Sequence, residues 1–438
     1  MLLAGTAQVD ITPKSDLFLT GYIAREGPMV GIHDPLYATA LVLSSRSAAD
    51  ESRRTALLSC DLLALDEPTV ADLRQRIQAA TGIPAADIMV ACTHTHSGPA
   101  TVFLQDCGEV SQDYLEQLKR KLVALVGQAG TQMLPVTVAS GKGEWAEGVI
   151  DRRDPGAPVD PEIGVICLHK EDGDLAALLV NYACHPVVLG GENRLVSGDY
   201  PGALKAILQQ RLGVPVIFLT GAAGNINPAQ CGDFRHVQSF AEVLAEQVMQ
   251  VLPGVEISSP ARLHVRSRTL SLPLDPPPPV GRLEELVTLH RQGFERSLSL
   301  GQTTQSRMEQ AMLNWAKTTL ERVLQGQVLG RVPLEIQVIH LGGACICAIS
   351  GEVFSDLGKI IKNYHRDGLV CLSGFTNGDI GYIAPRPAYA QGGYEILEAY
   401  RYYGFPGALH VGAGEEVAVA ALKLIQETYS ELKESFDE

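Results

Sequence analysis

The stretch that decides the fold is residues 88–99, IMVACTHTHSGP. Its first five residues form an unbroken apolar run that predicts a buried strand, and the closing Gly-Pro pair ends that strand. His94 and His96 therefore lie at a strand end, which is where α/β proteins usually place a functional site. Side chains two positions apart in an extended chain point the same way, so the two imidazoles are expected to face one pocket. Taken alone, the stretch fits a metal-binding H-x-H and a pair of polar loop residues equally well.

The composition is that of a globular protein without an anionic macromolecular partner. The chain has 438 residues, of which 46% are hydrophobic and 19% are charged, which is enough for a sizeable core. Its formal net charge is −15, from 35 basic and 50 acidic residues, and this charge argues against nucleic acid or an anionic membrane as a partner. We expect a small-molecule substrate, no nucleic-acid binding and no stable membrane association. The oligomeric state is not predictable from these numbers.

The cysteines and the first residues of the chain both favour the cytoplasm. The nine cysteines are scattered singly apart from Cys345 and Cys347, and this pattern is typical of free thiols in a reducing compartment. Those two alternate within a predicted strand and fit core thiols better than metal ligands. The chain opens without a basic and apolar leader, and no apolar run reaches about 18 residues, the length needed to span a membrane.

Strand and helix patterns alternate around residues 88–92 and predict an α/β fold. Residues 54–60 predict a strand, and a helix follows with Asp66 as its N-cap and Gly82 at its end. Together with the strand at residues 88–92 they make a βαβ unit, which requires a parallel pairing in the sheet.

Further along the chain, a run of prolines marks the start of one inserted helical segment. Residues 145–158 carry no strand pattern and are expected to form a loop. Four prolines at residues 276–279 precede a polar helical stretch at about residues 281–327, which is too short for a core of its own. The prediction is a single α/β domain over residues 1–438, with a mixed β-sheet core flanked by helices and a helical insertion.

Polar side chains follow five of the predicted apolar strands. If the sheet has one functional edge, these side chains converge there, and two histidines with a carboxylate and one further oxygen ligand make a catalytic zinc set with room for water. The five groups are His94 with His96, His185, Asn225 with Asn227, Glu352, and Asp379 with Tyr382.

Each of these groups also has an ordinary structural explanation. His185 precedes a proline and fits a buried, hydrogen-bonded histidine equally well. Glu352, taken alone, fits better as a carboxylate at a helix N-terminus, and Tyr382 fits an aromatic lid over the core. Residues 221–224, GAAG, resemble a phosphate-binding turn but lack the Walker lysine and the full glycine pattern.

The order and spacing of five motifs resemble those of the neutral (non-lysosomal) ceramidases. The motifs are THTHSGPA from residue 93, NYACHP from 181, GNINP from 224, SGE from 350 and NGDIGY from 377, with a less specific match at GIHDPL from 31. The resemblance covers about residues 4–430, and the chain looks like a divergent N-terminal catalytic domain of that family.

The resemblance implies a metal and a set of site residues. In that family zinc is held by the first histidine of the HTH motif, a histidine before proline, a glutamate and a tyrosine. The implied zinc ligands are His94, His185, Glu352 and Tyr382. The resemblance also implies that His96 and an arginine, Arg152 rather than Arg153, contact the reacting centre of the substrate.

The departures from the family pattern argue against ceramide as the substrate. Asn227 stands where ceramidases carry a serine, so this turn lacks a hydroxyl. Neither an immunoglobulin-like C-terminal domain nor a secretory signal is expected. The rim near Tyr382 suits a polar or sugar-like ligand as well as a lipid; it comprises Arg386, Tyr389, Gln391, Tyr394 and Arg401.

The preferred function is zinc-dependent hydrolysis of an amide bond, with an ester as the second choice, in a small soluble substrate. A metal-bound water would attack, His96 and Arg152 would stabilise the oxyanion, and Asn227 would bind the substrate near the leaving group. Asp61 and Asp199 are candidates for the general base. Two alternatives stay open: a zinc phosphoesterase or other metallohydrolase on the same ligands, and a non-catalytic binding protein that kept the fold.

Overall fold

The structure is a computed structural model that describes residues 1–14, 16–45, 53–258, 263–364 and 368–434. The strands are β1 (Leu2–Asp10), β2 (Gly31–Ile32), β3 (Tyr37–Ser45), β4 (Arg53–Cys60), β5 (Ile88–Cys92), β6 (Leu134–Glu144), β7 (Val149–Asp151), β8 (Glu162–His169), β9 (Leu175–Tyr182), β10 (Leu195–Val196), β11 (Val216–Thr220), β12 (Ile226–Pro228), β13 (Glu256–Ser258), β14 (Leu263–Pro273), β15 (Arg331–Leu341), β16 (Ala344–Ile349), β17 (Glu352–Val353), β18 (Leu369–Ser373) and β19 (Tyr382–Ile383). The α-helices are α1 (Glu67–Thr81), α2 (Gln112–Thr131), α3 (Asp199–Leu212), α4 (Phe234–Val251), α5 (Val280–Ser299), α6 (Thr303–Leu324), α7 (Ser355–Tyr364), α8 (Arg386–Gln391), α9 (Tyr394–Leu397), α10 (Ala399–Tyr402) and α11 (Ala413–Glu434).

Two stacked sheets form the centre of the molecule. The larger sheet has the strand order β11-β9-β8-β6-β1-β3-β4-β5, with β13 paired to β6, and the smaller sheet has the order β14-β15-β16-β18. The pairings β4–β5, β9–β11 and β16–β18 are parallel, and the other neighbours in these two sheets are antiparallel. The parallel pairing of β4 with β5 across α1 is the predicted βαβ unit.

Strands such as β5, β11 and β16 are buried on both faces of their sheets, which explains why they are almost continuously apolar. In β3, Leu41 and Leu43 pack towards the smaller sheet, together with Ile339 of β15. Ala40 and Val42 of the same strand pack against α1 and α2. Helices α3 and α4 cover the other half of the larger sheet, and α7 and α11 cover the smaller sheet. The result is a four-layer arrangement of helices, sheet, sheet and helices, which confirms the predicted α/β class with a mixed sheet flanked by helices.

Local sequence signals set the ends of α1 as predicted. The side chain of Asp66 accepts a hydrogen bond from the backbone N–H of Thr69, and Gly82 closes the helix with a φ of 74°. The left-handed region favours glycine because it has no Cβ.

The predicted helical insertion is the pair α5 and α6. The two helices pack on each other through Leu283, Leu286 and Trp315. The indole N–H of Trp315 also donates to the carbonyl of Phe405 at 2.8 Å, which attaches the insertion to the segment that follows Tyr382. The organisation of residues 1–438 as one domain stays a prediction.

The loop predicted for residues 145–158 contains a strand, so that prediction is wrong in this respect. Strand β7 pairs antiparallel with β12, with Asp151 opposite Ile226 and Ile150 opposite Asn227. A three-residue strand whose partner lies far along the chain leaves no local periodicity to detect. The pairing carries Arg152, the next residue, to the side of Asn227.

All nine cysteines are free, and eight of them, including Cys345 and Cys347, are buried. The core-thiol interpretation of that pair is therefore confirmed. Among the described residues, no helix combines the length and the apolar character needed to cross a bilayer.

Candidate metal centre

His94 is fixed by its ring and by its backbone at the end of β5. Its backbone N–H donates to Leu62 O, and its ring Nδ1 lies 2.9 Å from Leu63 O. Its φ is +68°, so the chain is not extended here and the alternation argument does not apply. The two imidazoles nevertheless lie together, because this left-handed residue turns the chain and places the ring of His96 4.9 Å from that of His94. Phe375 stacks on the other ring face of His94, at 3.7 Å between centroids.

His185 follows β9, which lies near the other end of the strand order from β5, and its ring nevertheless packs 4.9 Å from that of His94. Its backbone N–H donates to Ile226 O, and its Nδ1 lies 2.5 Å from Ala223 O. A ring nitrogen this close to a carbonyl must donate its proton, so Nδ1 carries the hydrogen in both His94 and His185. Nε2 therefore keeps its lone pair in both rings, which is the tautomer that a metal ligand needs.

Glu352 faces both of these nitrogens. Its Oε2 lies 3.0 Å from His185 Nε2 and 3.7 Å from His94 Nε2, and its side chain is almost completely buried. Glu352 opens β17 and not a helix, so the helix-N-terminus explanation does not hold in the structure. Burial alone would raise the pKa of Glu352, but the proximity of His185 and His94 and a hydrogen bond from Tyr403 hold it at about 2.

The spacing of these groups fits one small cation. Donors about 2.0–2.2 Å from a tetrahedral zinc ion lie about 3.3 Å apart, which falls between the two distances from Glu352 to the histidines. The ligand nitrogens of His94, His96 and His185 all lie within 4.8 Å of one another, and this group could hold a metal ion. Burial lowers the pKa of His94 to about 3 in spite of the Glu352 charge, so the ring is neutral at physiological pH and able to bind a cation.

His96 is the least constrained of the three rings. Within the part of the chain that the structure describes, neither of its ring nitrogens has a hydrogen-bond partner, although both are shielded from solvent. Burial and the two neighbouring histidines hold the pKa of His96 well below its usual range. Its ring packs 5.0 Å from that of Tyr22, and its carbonyl accepts a 2.7 Å hydrogen bond from Arg25. A buried neutral imidazole with unsatisfied nitrogens calls for an explanation, and a ligand bound beside the three histidines, which could hold a metal ion, would provide one.

Tyr382 lies beside Glu352 because β19 and β17 pair in parallel with these two residues in register. The ring of Tyr382 also lies 5.3 Å from the guanidinium carbon of Arg152. Burial and the Glu352 charge raise the pKa of the Tyr382 hydroxyl, while Arg152 opposes them. The structure thus brings Tyr382 beside Glu352 and Arg152, and its role as the fourth ligand stays a prediction.

Arg152 and Arg153 point in different directions. Arg152 donates to Gly224 O at 2.9 Å and contacts Asn227 Oδ1 at 3.4 Å, so it lies on the site side of β7. Arg153 donates to Gly392 O at 2.6 Å, away from Asn227. Arg152 therefore lies beside Asn227 and Gly224, and the choice of Arg152 over Arg153 as the residue that contacts the substrate stays a prediction.

The GAAG segment serves close packing in the structure. A Cβ on Gly221 would lie 3.0 Å from Ala183 Cα, and one on Gly224 would clash with the carbonyl oxygen of Glu352. These glycines let residues 221–224 approach His185 and Glu352 closely. The following Asn225 accepts from Ser355 N and donates to Asp151, so it holds the segment in place.

The two candidates for the general base are occupied by structural contacts. Asp61 accepts a 2.6 Å bond from the ammonium of Lys205 and one from the backbone N–H of Tyr37. Asp199 accepts from the backbone N–H groups of Leu189 and Tyr200. These contacts do not favour either carboxylate as a proton acceptor for the reaction.

Several residues of the site were not predicted from the sequence. Phe375 and Tyr403 contact His94 and Glu352, respectively, and Tyr22 and Arg25 support His96. Phe375 has a positive φ of 52°. The one sequence signal near it is that it immediately precedes residues 376–382, TNGDIGY. The others lie in segments without strand or helix periodicity, where the sequence contains no comparable signal.

Comparison with known proteins shows sequence similarity to one enzyme family. Residues 2–215 match the family model for neutral/alkaline non-lysosomal ceramidase, N-terminal. The neutral ceramidase of Pseudomonas aeruginosa is 24% identical over 248 residues, an alignment that covers 51% of this chain and 36% of that protein. The chain thus spans about a third of the length of the curated relative it matches.

Solved structures extend the similarity beyond the sequence match. The crystal structure of neutral ceramidase from Pseudomonas aeruginosa superposes with a TM-score of 0.74 and 18% identity, over 97% of this chain and 75% of that one. A structure described as ceramidase complexed with C2 gives a TM-score of 0.71 and 16% identity, with the same coverage. This chain is therefore similar to the neutral/alkaline non-lysosomal ceramidases in sequence over residues 2–215 and shares the fold of neutral ceramidase over nearly its whole length.

Proposed function

We propose that this protein is a zinc-dependent hydrolase that cleaves an amide bond, with an ester as the second choice, in a small soluble substrate. One observation carries the proposal: His94 and His185 each donate Nδ1 to a backbone carbonyl and turn Nε2 towards Glu352 Oε2. Buried histidines and a carboxylate in this arrangement are costly without a cation between them. The similarity to ceramidases supports amide chemistry at this centre.

The residues that would hold the ion are His94, His185, Glu352 and Tyr382. When bound, zinc would supply a Lewis acid and lower the pKa of a coordinated water towards neutrality. The protein fixes the donors in advance, since Leu63 O and Ala223 O orient the two imidazoles and Tyr403 orients Glu352.

Two donors are placed to stabilise the negative charge that develops on the carbonyl oxygen. His96 has ring nitrogens without partners among the described residues, and its neutral ring carries one N–H. Arg152 is charged at every working pH, and its five N–H donors allow it to keep its present contacts and still reach a substrate oxygen. The loss of one such donor typically costs about 2.7–4 kcal/mol of transition-state stabilisation.

Asn227 would bind the substrate on the leaving-group side. Its carboxamide lies next to Arg152 in the short sheet formed by β7 and β12, and it is partly exposed. An amide offers both a donor and an acceptor, so it can hydrogen-bond an amine or hydroxyl leaving group without taking part in bond making.

Metal analysis combined with a substrate screen tests the proposed function. Protein purified without chelator should contain about one equivalent of zinc and should hydrolyse soluble acyl amides or esters, with little release of p-nitrophenol from p-nitrophenyl phosphate. Turnover of the phosphate ester alone would support a phosphoesterase instead. Protein that contains no stoichiometric metal and turns over none of the amide, ester or phosphate substrates would support the binding-protein alternative.

A further inference from the structure

A buried carboxylate bridges the two adjacent arginines at the rim of the centre. Glu395 Oε1 lies 2.8 Å from Arg152 Nε, and Oε2 lies 2.5 Å from Arg153 Nη1. Only 5% of the Glu395 side chain is exposed, so the ion pair is shielded from solvent. Charge-assisted hydrogen bonds of this kind are strong and directional.

The bridge fixes the direction of Arg152. Because its Nε is held by Glu395, the Nη edge of the guanidinium is turned towards Gly224 O and Asn227. The Tyr382 ring lies beside the same guanidinium. A free arginine side chain has many rotamers, and the ion pair with Glu395 removes most of that freedom before any substrate binds.

The other half of the bridge fixes Glu395 itself. Arg153 donates to Gly392 O, and a Cβ on Gly393 would lie 2.7 Å from Arg153 Nη1. This close approach ties the turn before α9 to β7, and Glu395 is the second residue of α9. Arg153 therefore acts as an anchor for the segment that presents the carboxylate.

We propose that Glu395 is a positioning residue that aims the guanidinium of Arg152 at the reacting carbonyl, while Arg153 anchors Glu395. The inference rests on the proposed function, in which Arg152 contacts the substrate oxygen. It assigns separate roles to two neighbouring arginines, and it explains why the first helical turn after the Gly392-Gly393 pair carries a buried carboxylate. Glu395 itself does not touch the substrate.

A double-mutant cycle tests this role. Glu395→Gln keeps the shape of the side chain but removes its charge and one acceptor. It should lower kcat by roughly tenfold to a hundredfold, as expected when a donor is displaced by about 1 Å. KM and the amount of bound zinc should change little. In the Arg152→Ala background the same substitution should cost no further activity. In the His96→Ala background it should cost its full factor. An equal loss in all three backgrounds would show that Glu395 acts on the fold and not through Arg152.

An NMR measurement that does not depend on turnover separates the positioning role of Glu395 from the proposed hydrolase function. In the wild type the Nε–H of Arg152 should give a resolved, slowly exchanging ¹⁵N resonance, because it is bonded and shielded. That resonance should move and exchange faster in Glu395→Gln. Wild-type protein that cleaves no amide or ester would overturn the proposed function, and the resonance would still decide whether Glu395 holds Arg152. An unchanged resonance in the variant would overturn the positioning role.

Discussion

The hydroxyl of Tyr403 donates a 2.5 Å hydrogen bond to Oε1 of Glu352, while Oε2 of the same carboxylate faces the two histidines. The two oxygens of Glu352 thus have different roles, because Oε1 is held by the protein and Oε2 is presented to the centre. The Tyr403 hydroxyl also lies 3.4 Å from Asp379 Oδ2, so its position is fixed from two sides.

Loss of this hydroxyl should weaken metal binding without unfolding the protein. Tyr403→Phe keeps the ring but frees Oε1, and the change of such a supporting partner typically costs about 10- to 100-fold in metal affinity. Competition with a chromophoric zinc chelator would measure the shift. Tyr402→Phe is the matched control on the adjacent residue, and an equal loss of affinity in the control would contradict the assignment.

The two histidines of the HTH motif should differ in what their loss removes. His185→Ala and His94→Ala should each lose most bound zinc and all turnover. His96→Ala should retain zinc and lose roughly a hundredfold in rate, as expected for one oxyanion donor. Because the ring nitrogens of all three histidines lie within 4.8 Å of one another, metal content measured on each variant is the decisive quantity. Equal zinc loss in all three variants would make His96 a ligand.

The histidines and the carboxylate could be identified as candidates because His94, His185 and Glu352 each lie within three residues of the end of an apolar strand, where α/β proteins usually place functional side chains. The sequence also indicated the ends of α1, since Asp66 and Gly82 act through local backbone chemistry. These features depend on neighbours a few residues away, which is the range over which periodicity and capping patterns carry information.

Residue patterns could not predict the contacts around the site, because these contacts join distant parts of the chain; the resemblance to a known family implied Arg152 and Asn227, but not how they meet. Arg152 reaches Asn227 through a three-residue strand pairing, and Glu395 and Tyr403 reach the centre from short helices or the turns beside them. Even the shared orientation of His94 and His96 arises from a left-handed φ and not from strand alternation. A single sequence specifies such contacts only through the complete fold.

The buried pair of Lys205 and Asp61 should contribute to stability rather than to catalysis. The ammonium and the carboxylate lie 2.6 Å apart with side chains at most 4% exposed. Lys205→Met would leave the Asp61 charge buried without its partner, and such a loss typically destabilises a protein by about 3–5 kcal/mol. Urea unfolding would measure it. The double variant Lys205→Met/Asp61→Asn should recover part of the loss, and a single variant with wild-type stability would contradict the prediction.

Asp199 should make the free energy of unfolding depend on pH between about 4 and 6. Burial raises its folded pKa from 3.8 to about 6, so the folded state binds this proton more tightly than the unfolded state. The contribution of Asp199 to the free energy of unfolding is therefore greatest at pH values below the pKa of this residue in the unfolded chain. It falls by about 3 kcal/mol in all as the pH rises through about 6. Asp199→Asn removes the titration, so urea unfolding of the variant should show a smaller decline from pH 4 to pH 7. Parallel curves for the two proteins would show that Asp199 does not titrate in this range.

The last prediction concerns the substrate: soluble acyl amides should be cleaved faster than long-chain ceramide. A cavity of about 870 Å³ lies between residues 101–112 and the helical insertion, and its wall mixes Phe103 and Phe294 with the charged Asp106, Glu109 and Arg307. The residues that line this cavity are not those of the candidate metal centre, but a long acyl chain that extended into it would desolvate these charges, which is costly. Around the centre itself, Arg152 and Asn227 present polar groups, and Asn227 lacks the hydroxyl found in ceramidases. Initial rates should be measured side by side on short-chain soluble amides and on long-chain ceramide in detergent micelles. The soluble substrates should be cleaved at least about tenfold faster, because one lost pocket contact is worth about 1–3 kcal/mol. Asn227→Ser is the informative variant, because a rise in ceramide cleavage would assign the preference to this side chain. A higher rate of the wild type on long-chain ceramide than on every soluble amide and ester would contradict the prediction.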